Sequence, residues 1–226
     1  MRKLLVINGS PKPVSDTMVL TRAFVRGMEQ CGEETEIIHV INRKIGPCLG
    51  CFQCMRRGDG HCVQRDDQNE LLDRLVEADD LLFSFPLYAY AMPSHLKAVV
   101  DRLLPLSRMT MHEENDAVRH DTLMDMSRKR IMVISGCGFP DWERNFAALR
   151  IMCANCFPRA TVVCVPEAPM LNVPEARSVT QPLCEAFTQA GVEFATNGTL
   201  RRETVARLET PMIPRETYLA IVNGSA

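Results

Sequence analysis

Four cysteines lie within the segment PCLGCFQCMRRGDGHC, which spans residues 47–62. The spacing is C-x2-C-x2-C-x7-C, through Cys48, Cys51, Cys54 and Cys62. Glycines in the same segment leave the backbone free to wrap around a bound group. Thiolates at this spacing suit a cubane iron–sulfur cluster, while zinc binding and disulfide exchange are rival uses of the same side chains. The choice depends on the elements that position the loop.

The overall composition indicates an ordinary globular protein. The chain has 226 residues, of which 46% are hydrophobic and 24% charged, enough for one α/β domain with some excess. Its formal charge is −2 and its Lys and Arg residues are scattered, so the sequence shows no basic patch of the kind that binds nucleic acid or an anionic membrane. The apolar run near the N-terminus is too short for a signal peptide, and we expect a cytoplasmic protein. In that reducing compartment clustered cysteines indicate metal or redox chemistry.

Short apolar segments alternate with helical patterns along the chain. Five strands alternating with five helices predict βαβ units and a doubly wound parallel sheet. The predicted strands are 3–7, 35–40, 80–85, 129–135 and 160–165, and the predicted helices are 17–32, 66–79, 93–104, 141–156 and 174–191, the last interrupted at Pro182.

Two stretches do not follow this alternation. Residues 105–128 are polar and rich in methionine, and are predicted to form a long excursion of the kind that is functional or disordered. Residues 192–226 are expected to be a C-terminal extension with one short helix and an extended end. The predicted domain is therefore 1–191, with the cysteine loop 46–62 and the excursion inside it.

Three segments that follow predicted strands have the composition of a binding site, and in parallel sheets ligands bind beyond the carboxyl ends of the strands. NGSPKPVSDT (8–17) carries hydroxyl groups and Lys12 before a helix N-terminus, which favours a phosphate. SFPLYAYAMP (84–93) brings two tyrosines that suit stacking on a planar ring. SGCGFPDW (135–142) has two glycines that allow a ligand to lie close to the backbone. Together they predict a pocket for a phosphate and a flat ring.

These segments and the cysteine loop resemble, in order and spacing over residues 1–140, the signature segments of the flavodoxin-like NAD(P)H-dependent FMN reductase family. The resemblance implies a flavodoxin-like α/β fold, with a doubly wound five-stranded parallel sheet of order 2-1-3-4-5 and helices on both faces. It also implies that FMN binds non-covalently and that NAD(P)H is the co-substrate. The residues implied in FMN binding are Ser10, Lys12, Ser15, Asp16, Thr17, Met18, Pro86, Leu87, Tyr88, Ala89, Tyr90, Ser135, Gly136, Cys137 and Gly138.

Asp16 departs from the family pattern, which usually has a small polar residue at this position. A carboxylate beside a phosphate is unfavourable, so Asp16 is expected to point outward and cap the helix instead.

The cysteine loop is similar to that of the iron–sulfur flavoprotein subgroup. This resemblance implies a [4Fe–4S] cluster held by Cys48, Cys51, Cys54 and Cys62 beside FMN. Other family members carry a similar loop without iron, so a cluster-free flavin reductase and a zinc site both stay open.

The implied function is an FMN-dependent NAD(P)H oxidoreductase that reduces a quinone-like, small-molecule or protein acceptor. No side chain is assigned as a general acid or base, because the flavin carries the chemistry. The alternatives are a non-enzymatic flavodoxin-like electron carrier, which is usually more acidic than this chain, and a zinc-stapled binding module. A homo-oligomer, dimer or tetramer, is implied, with the cysteine loop and the 105–128 excursion at its interface.

Overall fold

Five parallel strands form the centre of the computed structural model, which describes residues 1–12, 14–114, 117–126 and 128–224. The order is β2-β1-β3-β6-β7, and every neighbouring pair is parallel. The predicted doubly wound sheet of order 2-1-3-4-5 is therefore confirmed. The strands are β1 (Lys3–Asn8), β2 (Glu34–His39), β3 (Asp80–Pro86), β6 (Arg130–Gly136) and β7 (Thr161–Val165).

Helices cover both faces of this sheet. The five predicted helices are present with shifted ends, and α2 is an additional short helix inside the cysteine loop. None of the helices in the described part of the chain is long and apolar enough to cross a membrane. The helices are α1 (Asp16–Gln30), α2 (Gln53–Arg57), α3 (Gln68–Glu77), α4 (Ser94–Asp101), α5 (Trp142–Cys156), α6 (Arg177–Asn197), α7 (Arg202–Leu208) and α8 (Arg215–Val222).

The core consists of two layers, one on each side of the sheet. Successive side chains of β1 point to opposite faces, so Leu5 packs with α3, α4 and α5 while Leu4 packs with α1 and α6. Strand β3 is buried along almost its whole length, as its continuous apolar sequence predicts. This two-sided burial holds the carboxyl ends of the central strands in fixed positions.

Two glycines allow α1 and α6 to pack with their backbones in contact. A Cβ atom on Gly27 would lie 2.0 Å from the carbonyl oxygen of Thr188, and one on Gly191 would lie 2.0 Å from that of Phe24. Any larger residue at either position would force the helices apart. Although Pro182 lies inside α6, the helix continues to Asn197.

The excursion contains a β-hairpin, which the sequence analysis did not predict. Strands β4 (Ser107–Glu114) and β5 (Ala117–Thr122) pair in antiparallel register, with an irregularity between Ser107 and Met111. Strand β4 is largely exposed and β5 is mostly partly buried, and both carry several charged residues. Their apolar alternation is too short to identify a strand from the sequence.

The C-terminal extension is more structured than predicted. Its first residues continue α6 to Asn197, so the predicted boundary at residue 191 falls inside a helix. Instead of one short helix and an extended end, the rest forms the two helices α7 and α8. Leu208 and Tyr218 are buried against the rest of the molecule, so the extension packs as part of the fold.

Candidate functional site

The three predicted site segments meet at one edge of the sheet. Strands β1, β3 and β6 end side by side, with Asn8 paired to Ser84 and Pro86 paired to Gly136. The amide of Leu87 donates to the carbonyl oxygen of Gly136 at 2.8 Å, which joins the segments after β3 and β6. The prediction that these three segments lie next to one another is therefore confirmed.

The segment after β1 leads directly into the N-terminus of α1. The Oγ atom of buried Ser10 accepts a hydrogen bond from the amide of Lys12 at 3.1 Å, while the Lys12 side chain is exposed. Ser15 is the N-cap of α1, and its hydroxyl accepts from the amide of Met18 at 3.3 Å. The other amides of the first helical turn have no carbonyl partner within the helix, which is the usual basis for anion binding. The donors at this end of α1 therefore suit a phosphate.

Asp16 does not cap the helix, so that expectation is wrong. Ser15 occupies the N-cap position, and Asp16 is the first helical residue. Its carboxylate accepts a hydrogen bond from the side chain of Asn172. This contact anchors the carboxylate to the turn after β7.

Thr17 and Gly136 bring the first and third segments close together. A Cβ atom on Gly136 would lie 3.4 Å from Thr17 Oγ1 and 2.8 Å from the Cβ of Ala168. Thr17 and Met18 are both buried, so their side chains belong to the wall of this edge. The glycine at position 136 is required because a side chain would displace these neighbours.

The segment after β3 presents two aromatic rings at the surface. Tyr88 is 49% exposed and Tyr90 55%, next to partly buried Pro86 and Leu87. Ala89 and Tyr90 have φ angles of 47° and 63°, in the left-handed region that non-glycine residues rarely adopt. Backbone strain of this kind is concentrated at functional sites, and here it displays flat rings that suit stacking.

The segment after β6 combines a buried thiol with an exposed glycine. Cys137 is buried, its Sγ lies 3.5 Å from the carbonyl oxygen of Phe139, and burial raises its pKa, so the thiol stays protonated at neutral pH. Gly138 is exposed and leaves its backbone open to a ligand. The hydroxyl of Ser135 is buried without a hydrogen-bond partner in the described part of the chain.

The residues at this sheet edge fit FMN by their chemistry. The free amides and hydroxyl groups of the first segment suit its phosphate, and the exposed tyrosines suit its ring. The assignment of individual residues to FMN stays a prediction.

The cysteine loop carries four free thiols in different environments. Cys48 and Cys51 are exposed, Cys62 is partly buried and Cys54 is buried. Burial raises the pKa of Cys54. Burial also tends to raise the pKa of Cys62, but hydrogen bonds from Gln64 and Arg102 outweigh burial, so the pKa of Cys62 is lowered. The four thiols therefore have the chemistry of a soft-metal donor set.

These thiols are not gathered into a preformed metal site. Within the ranges that the structure describes, no three His, Cys, Asp or Glu side chains are arranged to hold a metal ion. In a cubane cluster each thiolate binds a different iron atom, so the four sulfur atoms need not converge on one point as they would around a single ion.

The sequence analysis missed Arg102 as part of this loop. Its side chain is 1% exposed, forms a bidentate ion pair with Asp66 and donates to the carbonyl oxygen of Gly46 at 3.0 Å. These contacts join Gly46, the first residue of the cysteine loop, to Asp66, which lies shortly after its last residue. Asp66 and Arg102 are 36 positions apart, so no local pattern reveals the pair.

Tyr218 is a second residue that the sequence analysis missed. Its hydroxyl donates to the carbonyl oxygen of Gly138 at 2.8 Å. A tyrosine in the C-terminal extension therefore contacts one of the three site segments.

Comparison with known proteins supports the fold. A sequence profile described as a flavodoxin-like fold matches residues 2–152. An iron–sulfur flavoprotein from Methanocaldococcus jannaschii is 35% identical over 104 residues, covering 46% of this chain and 53% of that protein. An iron–sulfur flavoprotein from Archaeoglobus fulgidus is 30% identical over 139 residues, covering 62% of this chain and 57% of that protein. The chain spans about half the length of the curated relatives it matches.

A solved structure shares the architecture over most of the chain. It is an FMN-dependent NADH-azoreductase from Bacillus anthracis in complex with FMN. The TM-score is 0.63 at 19% sequence identity, and the match covers 86% of this chain and 100% of the azoreductase chain. At this identity the similarity is evidence for the fold.

Proposed function

This chain belongs to the flavodoxin-like fold family, and from that premise we propose that it binds FMN and acts as an NAD(P)H-dependent oxidoreductase. The observation that carries the proposal is the convergence of a phosphate-type loop, two exposed tyrosines and a glycine loop at one sheet edge. The names of its relatives and of the azoreductase agree with a flavin in such a fold. This agrees with the family resemblance noted from the sequence.

In this proposal the first segment holds the phosphate of FMN. Ser10, Ser15 and Thr17 supply hydroxyl groups and Lys12 a positive charge, while the helix N-terminus contributes amides. Asp16 and Met18 border the same group. The carboxylate of Asp16 is held by its hydrogen bond from the side chain of Asn172.

The second and third segments border the isoalloxazine ring. The residues that would border the ring are Pro86, Leu87, Tyr88, Ala89 and Tyr90 on one side and Ser135, Gly136, Cys137 and Gly138 on the other.

When bound, FMN would accept hydride from NAD(P)H and pass electrons to an acceptor, while the protein orients the ring. Backbone amides can stabilise negative charge on a reduced ring. The amide of Cys137 is already bonded to the carbonyl oxygen of Val165 at 2.9 Å. The amide of Gly138 is therefore the candidate donor. The acidic electron-carrier alternative is less favoured because the chain has a formal charge of only −2.

Binding of FMN is tested by fluorescence titration of the apoprotein with FMN. Wild type is expected to bind one FMN per chain. Thr17→Val should weaken binding about tenfold, since it removes a hydroxyl group from a charged ligand while keeping the shape of the side chain. Thr196→Val is the matched control, because its hydroxyl bonds only to the carbonyl oxygen of Val192 within α6. No binding by wild type, or equal binding by both variants, would contradict the proposal.

Enzyme and carrier are distinguished by steady-state oxidation of NADH and NADPH with a quinone or an azo dye. Multiple turnovers per FMN support the reductase. Reduction of FMN only by a redox protein, without turnover of either nucleotide, would favour the electron carrier.

We further propose that Cys48, Cys51, Cys54 and Cys62 hold a [4Fe–4S] cluster. The support is four free thiols on one loop whose first residue is joined to Asp66 by Arg102, together with the names of the iron–sulfur flavoprotein relatives. When bound, the cluster would handle single electrons beside the flavin.

The cluster is tested by anaerobic reconstitution followed by analysis of iron and acid-labile sulfide per chain. About four of each are expected for a cubane cluster. Cys54→Ser and Cys62→Ser should lose most of this iron, whereas Cys31→Ser, an exposed cysteine outside the loop, should retain it. If the reconstituted wild type contains FMN but no iron, the cluster-free flavin reductase is favoured. If it contains zinc in place of iron, the zinc-stapled binding module is favoured.

A further inference from the structure

The last helix is tied to the loop after β6 by two side chains. The buried hydroxyl of Tyr218 donates to the carbonyl oxygen of Gly138 at 2.8 Å. One turn earlier, Arg215 forms an ion pair with Asp141, with Nε 3.0 Å from Oδ1. Both contacts reach the 136–141 segment, which carries the exposed glycine of the proposed flavin site.

Glu167 joins the same loop to the chain just before α8. Its amide donates to the carbonyl oxygen of Phe139 at 3.2 Å, and its Oε2 accepts from the amide of Met212 at 2.7 Å and more weakly from that of Ile213. The residue is fully buried and has a φ of 55°, so the surrounding structure enforces its conformation. The loop after β6 and the 212–218 segment are thereby connected at three separate points.

We propose that the C-terminal segment 209–222 positions the loop after β6 to receive the flavin ring, with Tyr218 as the positioning residue. This inference rests on the proposed function, since it assigns the extension a role at the same site. It goes beyond the family match, because the profile covers residues 2–152 and the segment lies outside them.

The physical reason for such a tether is the flexibility of the loop. Gly138 is exposed and lies after the end of β6, and a glycine loses more conformational freedom on ordering than any other residue. A loop already held in place costs less to order, so a tether present before FMN binds increases affinity. Tyr218 is suited to this role because its ring is buried while its hydroxyl fixes one carbonyl of the loop.

The test compares Tyr218→Phe with Thr210→Val in the full chain. Tyr218→Phe removes the hydrogen bond to Gly138 and keeps the buried ring. Thr210→Val removes a hydroxyl that bonds only to the carbonyl oxygen of Ala206, in the same segment but away from the loop. Arg215→Gln is a second loop-directed variant, at an exposed position that folding tolerates.

Two quantities are measured for each variant: the FMN dissociation constant, and hydrogen–deuterium exchange of residues 137–141 without FMN. Tyr218→Phe is expected to weaken FMN binding roughly three- to tenfold and to speed exchange in the loop, as one lost hydrogen bond implies. Arg215→Gln should have a smaller effect of the same sign. Thr210→Val should change neither quantity.

The outcomes separate this inference from the proposed function. If wild type binds FMN and Tyr218→Phe matches Thr210→Val in both quantities, the positioning role is overturned and the proposed function stands. If loop exchange increases but affinity does not change, the tether is structural only, which also overturns the inference. If wild type does not bind FMN, the proposed function fails and this inference fails with it.

Discussion

Arg102 places a positive charge in an almost fully buried position at the end of α4. Its guanidinium pairs with Asp66, and Gln68 donates to the carbonyl oxygens of Val99 and Arg102 at 3.2 and 3.0 Å. One connected group of polar side chains therefore joins the end of α4 to the segment that follows the cysteine loop. Such a group is stable when complete, and the loss of one member leaves its partners buried and unpaired.

We predict that Arg102→Met lowers the free energy of unfolding by about 3 kcal/mol, because it removes the cationic partner of the Asp66 carboxylate and the donor to the Gly46 carbonyl. Urea denaturation of the apoprotein measures this. Lys97→Met is the matched control in the same helix, since its ion pair with Asp101 is exposed and should contribute less than about 1 kcal/mol. Equal losses in the two variants would show that the Arg102 contacts are not stabilising.

Asp80 is the first residue of β3, at the end of the sheet away from the candidate site, and it makes stability dependent on pH. It is fully buried and paired with Arg2 and Arg130. Burial alone would raise its pKa, but the hydrogen bonds from Arg130 and Arg2 outweigh burial and hold the pKa below its ordinary value. A carboxylate with a lowered native pKa stabilises the fold above its unfolded pKa of about 3.9, and this contribution is lost as the pH falls through the native pKa.

We therefore predict that Asp80→Asn costs about 3 kcal/mol at pH 7 and progressively less below about pH 4, where wild type loses the same interaction. Urea denaturation at pH 7 and at several acidic pH values measures this difference. Asp101→Asn, at an exposed pair, should show a small and nearly constant effect. If the stability difference between wild type and Asp80→Asn grows as the pH falls, the native pKa of Asp80 is not lowered and the interpretation is refuted.

At the scale of the elements, α1 and α6 show packing overriding helix propensity. Replacing a glycine inside a helix with alanine normally stabilises it by about 1 kcal/mol. At Gly191 the new methyl group would lie 2.0 Å from the backbone carbonyl oxygen of Phe24, which cannot move without displacing α1. The steric cost is larger than the gain in propensity.

We predict that Gly191→Ala lowers the free energy of unfolding by about 3 kcal/mol. Gln189→Ala, at an exposed position of the same helix, should change it by less than about 0.5 kcal/mol. Thermal and urea denaturation of the two variants measure the difference. Stabilisation by Gly191→Ala would mean that the helices are farther apart than the structure shows.

At the scale of the whole molecule, the hairpin and the cysteine loop leave apolar side chains uncovered. Met109, Met111 and Val118 on the hairpin are 55%, 58% and 71% exposed. Leu49 and Phe52 on the cysteine loop are also exposed, and α2 contacts β4. Uncovered apolar side chains on neighbouring elements are typical of an interaction surface. A second copy of the chain is the partner that the family resemblance implies.

We expect light scattering after size-exclusion chromatography to give a mass of at least twice the 25.4 kDa of one chain. Val118→Glu, which places a charge on this surface, should shift the protein toward a single chain. Val222→Glu is the control, because Val222 is similarly exposed but lies on α8. A wild-type mass of one chain would contradict the expected oligomer.

The architecture was largely determined by the sequence itself. The alternation of apolar strands and amphipathic helices predicted the parallel sheet, and the family resemblance its strand order. Parallel strands require crossover connections and carry their loops to a common edge, so the segments after β1, β3 and β6 could be predicted to meet. The composition of these segments then predicted a phosphate and a flat ring. All of these inferences depend on local periodicity and on general rules of chain connection.

The contacts that complete the site were decided only by the tertiary structure. Asp66 pairs with Arg102 across 36 positions, and Tyr218 bonds to Gly138 across 80. The hairpin also differs from expectation, because its apolar alternation is too short to predict strands, and so does the capping of α1 by Ser15 rather than Asp16. Local patterns cannot specify such contacts, because which distant side chains meet is set by the packing of the complete fold. The same packing decides how near the four cysteine thiols lie to one another.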